Sequence, residues 1–231
     1  MEMMNSRQIG VLERRNTGTS WTLDDTFEKN GYFIIRNLWN PEDLYCDLPY
    51  ETGQLTYWGS GETEYSRVEV EPQVEGSLSR YWHPKFKKAH YGIRDILEQK
   101  IGRKLYNTYY YDRFYFPGQE LKKHVDRDAC EISVTVNISS NIEEPWPIWI
   151  KTPDTYFNDK KLDIILDGKK ESVILKPGDG MVYKGVERPH WREPLKAGRV
   201  KNRERQYYHQ IFFHYVLQDG QRAHCAWDRA R

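Results

Sequence analysis

Two residue types that bind metals stand two positions apart in His124-Val125-Asp126. On extended backbone, residues i and i+2 point to the same side, so this imidazole and this carboxylate converge on one point. It is the sole HxD or HxE among the seven histidines of the chain. A third ligand from a later strand would complete a set of two histidines and one carboxylate, which leaves metal positions open for a cosubstrate and oxygen. His190 lies 66 residues on, directly after the turn and strand of LKPGDGMVYK. Neutral imidazoles and one carboxylate would hold a divalent metal and leave a net positive centre able to attract an anionic ligand. A surface His–Asp hydrogen bond and an unrelated core histidine would give the same spacing, so these residues gain meaning from the elements around them.

Those elements change character along the chain. Residues 22–30 read as a short helix with Leu23 and Phe27 on one face, stopped by Asn30-Gly31. Tyr32 to Ile35 reads as a strand, and Asn40-Pro41-Glu42-Asp43 supplies an N-cap, a proline at the first helical position and acidic residues in the first turn. Residues 51–80 are rich in Gly, Glu and Ser and read as a long loop or hairpin, a common form for a lid. From Pro84 to Lys100, Phe86, Ala89, Ile93, Ile96 and Leu97 recur at helical spacing.

After Gly102 the texture is β. Leu105 to Phe116 is strongly aromatic, and Glu131 to Ser140 alternates Ile132, Val134, Val136 and Ile138 with Ser133, Thr135 and Asn137. Short strands are expected near 146–151, 161–167, 171–176 and 181–184, with a last one from Gln206 to Leu217. About eight strands after an α-rich N-terminal third predict a mainly β jelly roll with flanking N-terminal helices, in one domain: a buttress over 1–103 and a core over 104–231.

Composition narrows the function. Lys plus Arg number 35 against 34 for Asp plus Glu, and a net charge of +1 gives no field for collecting nucleic acid. Cys46, Cys130 and Cys225 are odd in number and widely spaced, as expected of reduced thiols in a cytoplasmic protein. The polar run MEMMNSRQIGVLERR does not read as a secretory signal, and no apolar run approaches membrane-spanning length.

Taken together, these motifs resemble the prolyl-4-hydroxylase-like branch of the Fe(II)- and 2-oxoglutarate-dependent dioxygenases, including bacterial and phage members. The matching residues are Tyr115-Phe116-Pro117-Gly118 followed by HVDRDACEISVTVNIS, then LKPGDGMVYKG, PHWREP around His190 and HQIFFHYV, with FEKNGYFIIRNLWNPEDL near the start. The resemblance implies a double-stranded β-helix that uses iron, 2-oxoglutarate and O2, with release of succinate and CO2. It implies that His124, Asp126 and His190 bind iron and that Tyr115 hydrogen-bonds the 2-oxoglutarate carboxylate. The expected reaction is hydroxylation of an unactivated C–H in a peptidyl or small-molecule substrate.

In one respect the chain departs from the pattern. Many relatives place Lys or Arg about ten residues after the distal histidine, to pair with the remote carboxylate of 2-oxoglutarate. Here that residue is Val200. A buried carboxylate still needs a basic partner. Arg192, two residues after His190, is expected on the iron's side and favoured over Arg205. His209 and His214 read as wall residues, and Trp146, Trp149 and Trp191 as core packing ahead of wall or mouth. Arg127 could bind substrate or pair with Glu131. Two other classes share this architecture: a cupin-like protein that binds without turnover, and a nucleic-acid demethylase, which would need a basic groove.

Overall fold

A computed structural model describes residues 25–58, 64–70, 72–152, 168–199 and 205–228. Among these residues twelve strands form two antiparallel sheets. The larger takes the order β1 (Tyr32–Ile35), β10 (Gly180–Lys184), β7 (Ile132–Ser140), β12 (Tyr208–Leu217), β5 (Leu105–Tyr115), β4 (Leu78–Tyr81), β3 (Glu64–Val70), β2 (Leu55–Trp58). The smaller is β6 (Leu121–His124), β11 (His190–Arg192), β8 (Ile148–Thr152), β9 (Lys169–Val173). Strands β5 to β12 are the eight of a double-stranded β-helix, four in each sheet, as expected from the texture after Gly102.

The central strands are buried on both faces, because each face has its own cover. Ile132, Val134, Val136 and Ile138 of β7 join Ile211, Phe213 and Tyr215 of β12 in a cluster beneath the helix α3, Lys87–Ile101. That helix contributes Ala89, Ile93 and Leu97, the apolar stripe read from the sequence, and burying Ile93 and Leu97 fully is worth about 1.5–3 kcal/mol each. It ends at Gly102, whose φ of +72° is the left-handed conformation that terminates helices, with its N–H on the Glu98 carbonyl. The opposite, polar face of β7 is buried too, with Ser133, Thr135 and Asn137 all nearly inaccessible. It points into the space between the sheets, where a second cluster gathers Tyr109, Tyr111, Tyr115, Trp146, Tyr208 and Phe212.

The N-terminal region differs in part from its sequence reading. The first described helix, α1, is Asp25–Asn30, and Leu23 lies outside the described residues. The Asn40 cap is present, its side chain accepting from the Glu42 N–H at the start of α2, Pro41–Leu44. Of the long loop or hairpin expected over 51–80, the hairpin is present as β2 and β3, and β4 joins it to the larger sheet by pairing with β5. Backbone donors and acceptors at the free edge of β5 needed partners, and β4 supplies them, with β3 and β2 covering its own edge in turn. The strand expected at 161–167 lies outside the described residues. Among the described residues no helix is long and apolar enough to cross a membrane.

Candidate metal centre

The smaller sheet brings the three ligand-type residues together. His124 ends β6 and His190 begins β11, and the two are direct partners across this antiparallel pair. Opposed residues in such a pair have neighbouring side chains, and the two imidazole rings lie 4.3 Å apart. Asp126 follows β6, with its N–H on the Gly185 carbonyl at 2.8 Å. Its Oδ1 stands 3.5 Å from Nε2 of both His124 and His190. One ligand atom from each residue lies within 4.8 Å of the others.

Backbone carbonyls orient the two imidazoles. Nδ1 of His124 lies 2.7 Å from the Lys122 carbonyl and Nδ1 of His190 lies 2.9 Å from the Arg188 carbonyl. A carbonyl accepts, so each Nδ1 carries a proton and each Nε2 is the atom left facing the centre, where a metal would take its lone pair. This is the arrangement in which histidines bind metals, the second nitrogen fixing tautomer and ring direction. Burial alone would raise the Asp126 carboxyl, but His190 beside it holds it well below the usual carboxylate range. Burial likewise opposes a charge on His190, and Asp126 overrides it, so His190 is raised. Two nitrogens and one oxygen with lone pairs converging form a donor set suited to a ferrous ion.

The other Asp126 oxygen is held from behind. Ser133 Oγ donates to Oδ2 at 2.9 Å and lies 3.0 Å from Nδ1 of His214, whose protonated Nδ1 completes the chain. Gly185 closes the same corner: a Cβ there would meet Asp126 Oδ2 and the Cys130 carbonyl at 2.4 Å and Ser133 Oγ at 2.8 Å. A glycine is required by close approach, since no side chain fits between carboxylate and turn. Cys130 lies beside this network, with Tyr109 Oη 3.2 Å from its sulfur. Burial first, then the Asp126 charge, pushes its thiol far above the usual range.

Deeper in the barrel lies Arg192, two residues from His190 and turned to the same buried side, while Trp191 between them faces outward. Its guanidinium is 1 % exposed and stands over the rings of Trp146 at 4.5 Å and Tyr208 at 5.2 Å. One terminal nitrogen donates to the Trp146 carbonyl, while Nε and the other terminal nitrogen have no hydrogen-bond partner among the described residues. Burial lowers its pKa, Tyr208 and Tyr115 opposing. A buried guanidinium with two unused donors fits a carboxylate that arrives with a ligand. Tyr115 is completely buried in the same interior, its hydroxyl 3.1 Å from an Arg113 nitrogen and its ring edge-on to Trp146. Gln210 also faces this interior, and among the described residues neither end of its amide has a hydrogen-bond partner.

Other residues singled out from the sequence lie elsewhere. Arg205 is exposed and covers the Phe116 ring at 3.5 Å, so the structure does not bring it to the site. Arg127 pairs with Asp228 rather than Glu131, over the Tyr109 ring. Trp146 is an interior wall. Trp149 and Trp191 stack on the outer face of the smaller sheet beside Lys170. His214 is a wall residue tied to Asp126 through Ser133, and His209 faces away from the interior, bonded to Asp112. Sequence reasoning did not find Ser133, Gly185 or Gln73. Ser133 had a signal as the first polar residue of the β7 alternation and Gly185 as the last residue of LKPGDGMVYKG, while Gln73 had none.

No family model matches the chain, and no curated protein matches it. Solved structures do. The chain is similar to a prolyl-4-hydroxylase of Pseudomonas putida, with 14% identity, TM-score 0.52, and 82% of this chain and 95% of that one covered. It is similar to the non-heme alpha-ketoglutarate-dependent epimerase of nogalamycin biosynthesis, with 12% identity, TM-score 0.55 and coverage of 90% and 83%. It is also similar to EctD from S. alaskensis, solved with bound Fe, with 12% identity, TM-score 0.52 and coverage of 85% and 79%. The shared property is the fold: a double-stranded β-helix with a His/Asp/His group at the mouth of the barrel in this chain.

Proposed function

We propose that the protein is an Fe(II)- and 2-oxoglutarate-dependent oxygenase that hydroxylates an unactivated C–H of a small-molecule or peptidyl substrate. The observation that carries the reading is the convergence of His124 Nε2, His190 Nε2 and Asp126 Oδ1 in the same interior as Arg192, a buried cation with two unused donors. Neighbours in fold support it. The nogalamycin epimerase has been solved with Fe3+ and alpha-ketoglutarate, and HygX from Streptomyces hygroscopicus with nickel and 2-oxoglutarate.

His124, Asp126 and His190 would hold the iron by those three atoms. Iron and 2-oxoglutarate, when bound, supply activation of O2, with one oxygen atom leaving in succinate, CO2 released and the other atom placed on the substrate carbon. The chain's own residues do the rest. Arg192 receives the remote carboxylate, and Tyr115 lends its hydroxyl to the same pocket. Trp146, Tyr208 and Phe212 keep water away from both, which strengthens each charged contact. Ser133 and His214 keep Asp126 aimed at the metal. The whole chain acts as one catalytic domain, in the cytoplasm, and nucleic acid is not its substrate.

Anaerobic addition of Fe(II) and then 2-oxoglutarate should produce a visible metal-to-ligand charge-transfer band. Admission of O2 should release succinate stoichiometric with 2-oxoglutarate consumed. Iron binding with no such band would overturn the proposal.

A further inference from the structure

One short connection reaches the metal centre from outside the β-helix. Residues 72–77 lie between β3 and β4 and are pinned from Val74 onward. The Val74 side chain is 3 % exposed within the interior cluster of Tyr109, Tyr111 and Tyr115. Ser77 donates both its N–H and its hydroxyl to the Val74 carbonyl, and Gln119 Nε2 donates to the Glu75 carbonyl at 2.9 Å. Gln73 is thereby held at the barrel mouth. Its Oε1 accepts from both terminal nitrogens of Arg113 at 3.2 Å, and this settles which way the amide faces, because a guanidinium only donates. The amide nitrogen is then turned to Nε2 of His124, 2.9 Å away. An amide N–H only donates, and with the Nδ1 proton of His124 on the Lys122 carbonyl, Nε2 accepts it. The lone pair that takes the Gln73 proton is therefore the one a metal needs, and it cannot serve both.

We propose that Gln73 is a positioning residue of the metal centre: its amide occupies the His124 lone pair in the metal-free protein and, once a metal takes that lone pair, turns its N–H to a carboxylate oxygen of the 2-oxo acid bound beside it. The second half rests on the oxygenase reading, the first only on the metal. Arg113 retains the amide oxygen throughout, so the displaced N–H stays over the site instead of swinging into solvent. A carboxylate is the strongest acceptor that the proposed ligands bring there.

Cobalt tests the two halves separately. The full chain is stripped of metal, Co(II) is titrated anaerobically by its visible absorption, and 2-oxoglutarate is then titrated into the loaded protein. Gln73→Ala removes the competing donor and should bind Co(II) about three- to tenfold more tightly, the factor one net hydrogen bond represents. The same variant, loaded, should bind 2-oxoglutarate more weakly by a similar factor. Gln73→Glu places a carboxylate that cannot donate beside the triad, so Co(II) should bind tighter still and 2-oxoglutarate weaker than in Gln73→Ala. Co(II) affinity in Gln73→Ala equal to or below wild type overturns the proposal, as does unchanged 2-oxoglutarate affinity. A purely structural strap would lower both affinities along with the melting temperature. If wild type binds Co(II) but 2-oxoglutarate leaves its spectrum unchanged, the oxygenase reading falls and the second half with it, while the cobalt arm still decides the first.

Discussion

Two aspartates stand among histidines in this molecule, and they do opposite things. Asp126 lies between His124 and His190 at the barrel mouth. Asp112 lies on β5, turned away from the barrel interior, between His209 of β12 and Arg80 of β4. Arg80 grips Asp112 through Nε at 3.2 and 3.1 Å and through a terminal nitrogen, and His209 Nε2 is 2.8 Å from the same carboxylate. All three side chains are essentially inaccessible, and Phe114 stacks on the His209 ring at 3.7 Å. Burial would raise the Asp112 carboxyl, yet Arg80 and His209 hold it far below its usual range. A buried carboxylate needs a cation in either place. Around Asp112 the chain supplies an arginine and the cluster is closed. Around Asp126 it supplies converging lone pairs and leaves the cation to come from solution.

The sharpest way to break this comparison is to delete each carboxylate in turn. Asp112→Ala strands Arg80 in the interior and should cost about 3–5 kcal/mol in denaturant unfolding, with Co(II) affinity little changed. Asp126→Ala should abolish Co(II) binding with a smaller loss of stability. A variant at Asp112 that unfolds like wild type would show the closed cluster to be dispensable.

Acid should distinguish the clusters next. His83 neighbours Arg80 and Asp112, and burial first, then Arg80, lowers it from 6.5 to about 4. The unfolded chain therefore takes up a proton that the fold refuses. Stability is full above pH 6.5 and falls as pH drops from there toward 4, by up to about 3 kcal/mol. His83→Asn keeps a side-chain acceptor for the Lys85 N–H and should flatten that slope in unfolding measured from pH 7 to 4.5. An unchanged slope would remove His83 from the account.

On the open side, Arg192→Ala should weaken 2-oxoglutarate binding by about 10- to 150-fold, equivalent to about 1.5–3 kcal/mol for a charge-assisted pair. Arg192→Lys should fall between, since it keeps charge and loses the fork. Arg205→Ala should leave the dissociation constant alone, and a large loss there instead would reverse the assignment. The smallest change in atoms comes last. Gly185→Ala pushes on Asp126 Oδ2 and should lower Co(II) affinity about tenfold, the lower end of the range for altered support of a metal ligand. Wild-type affinity in that variant would mean the turn yields where the close approach suggests it cannot.

The sequence by itself determined a good deal. Period-two spacing put His124 and Asp126 on one side, and the same parity put Arg192 with His190. The alternation in β7 separated Ile132, Val134, Val136 and Ile138 from Ser133, Thr135 and Asn137, and the apolar stripe of α3 was legible because helical periodicity is local. Tertiary structure decided what each face meets. Nothing local says that the polar face of β7 is the one turned into the barrel, because that depends on where the second sheet and α3 are laid. Nor does parity reveal that Arg205, beginning the last strand segment, lies outside on Phe116, or that 51–80 would pair with β5. Gln73 reaches His124 across 51 positions and Ser133 reaches His214 across 81. Contacts of that separation carry no periodic signal, since they are set by how sheets stack and where loops return, and the chain states only the side chains available when they meet.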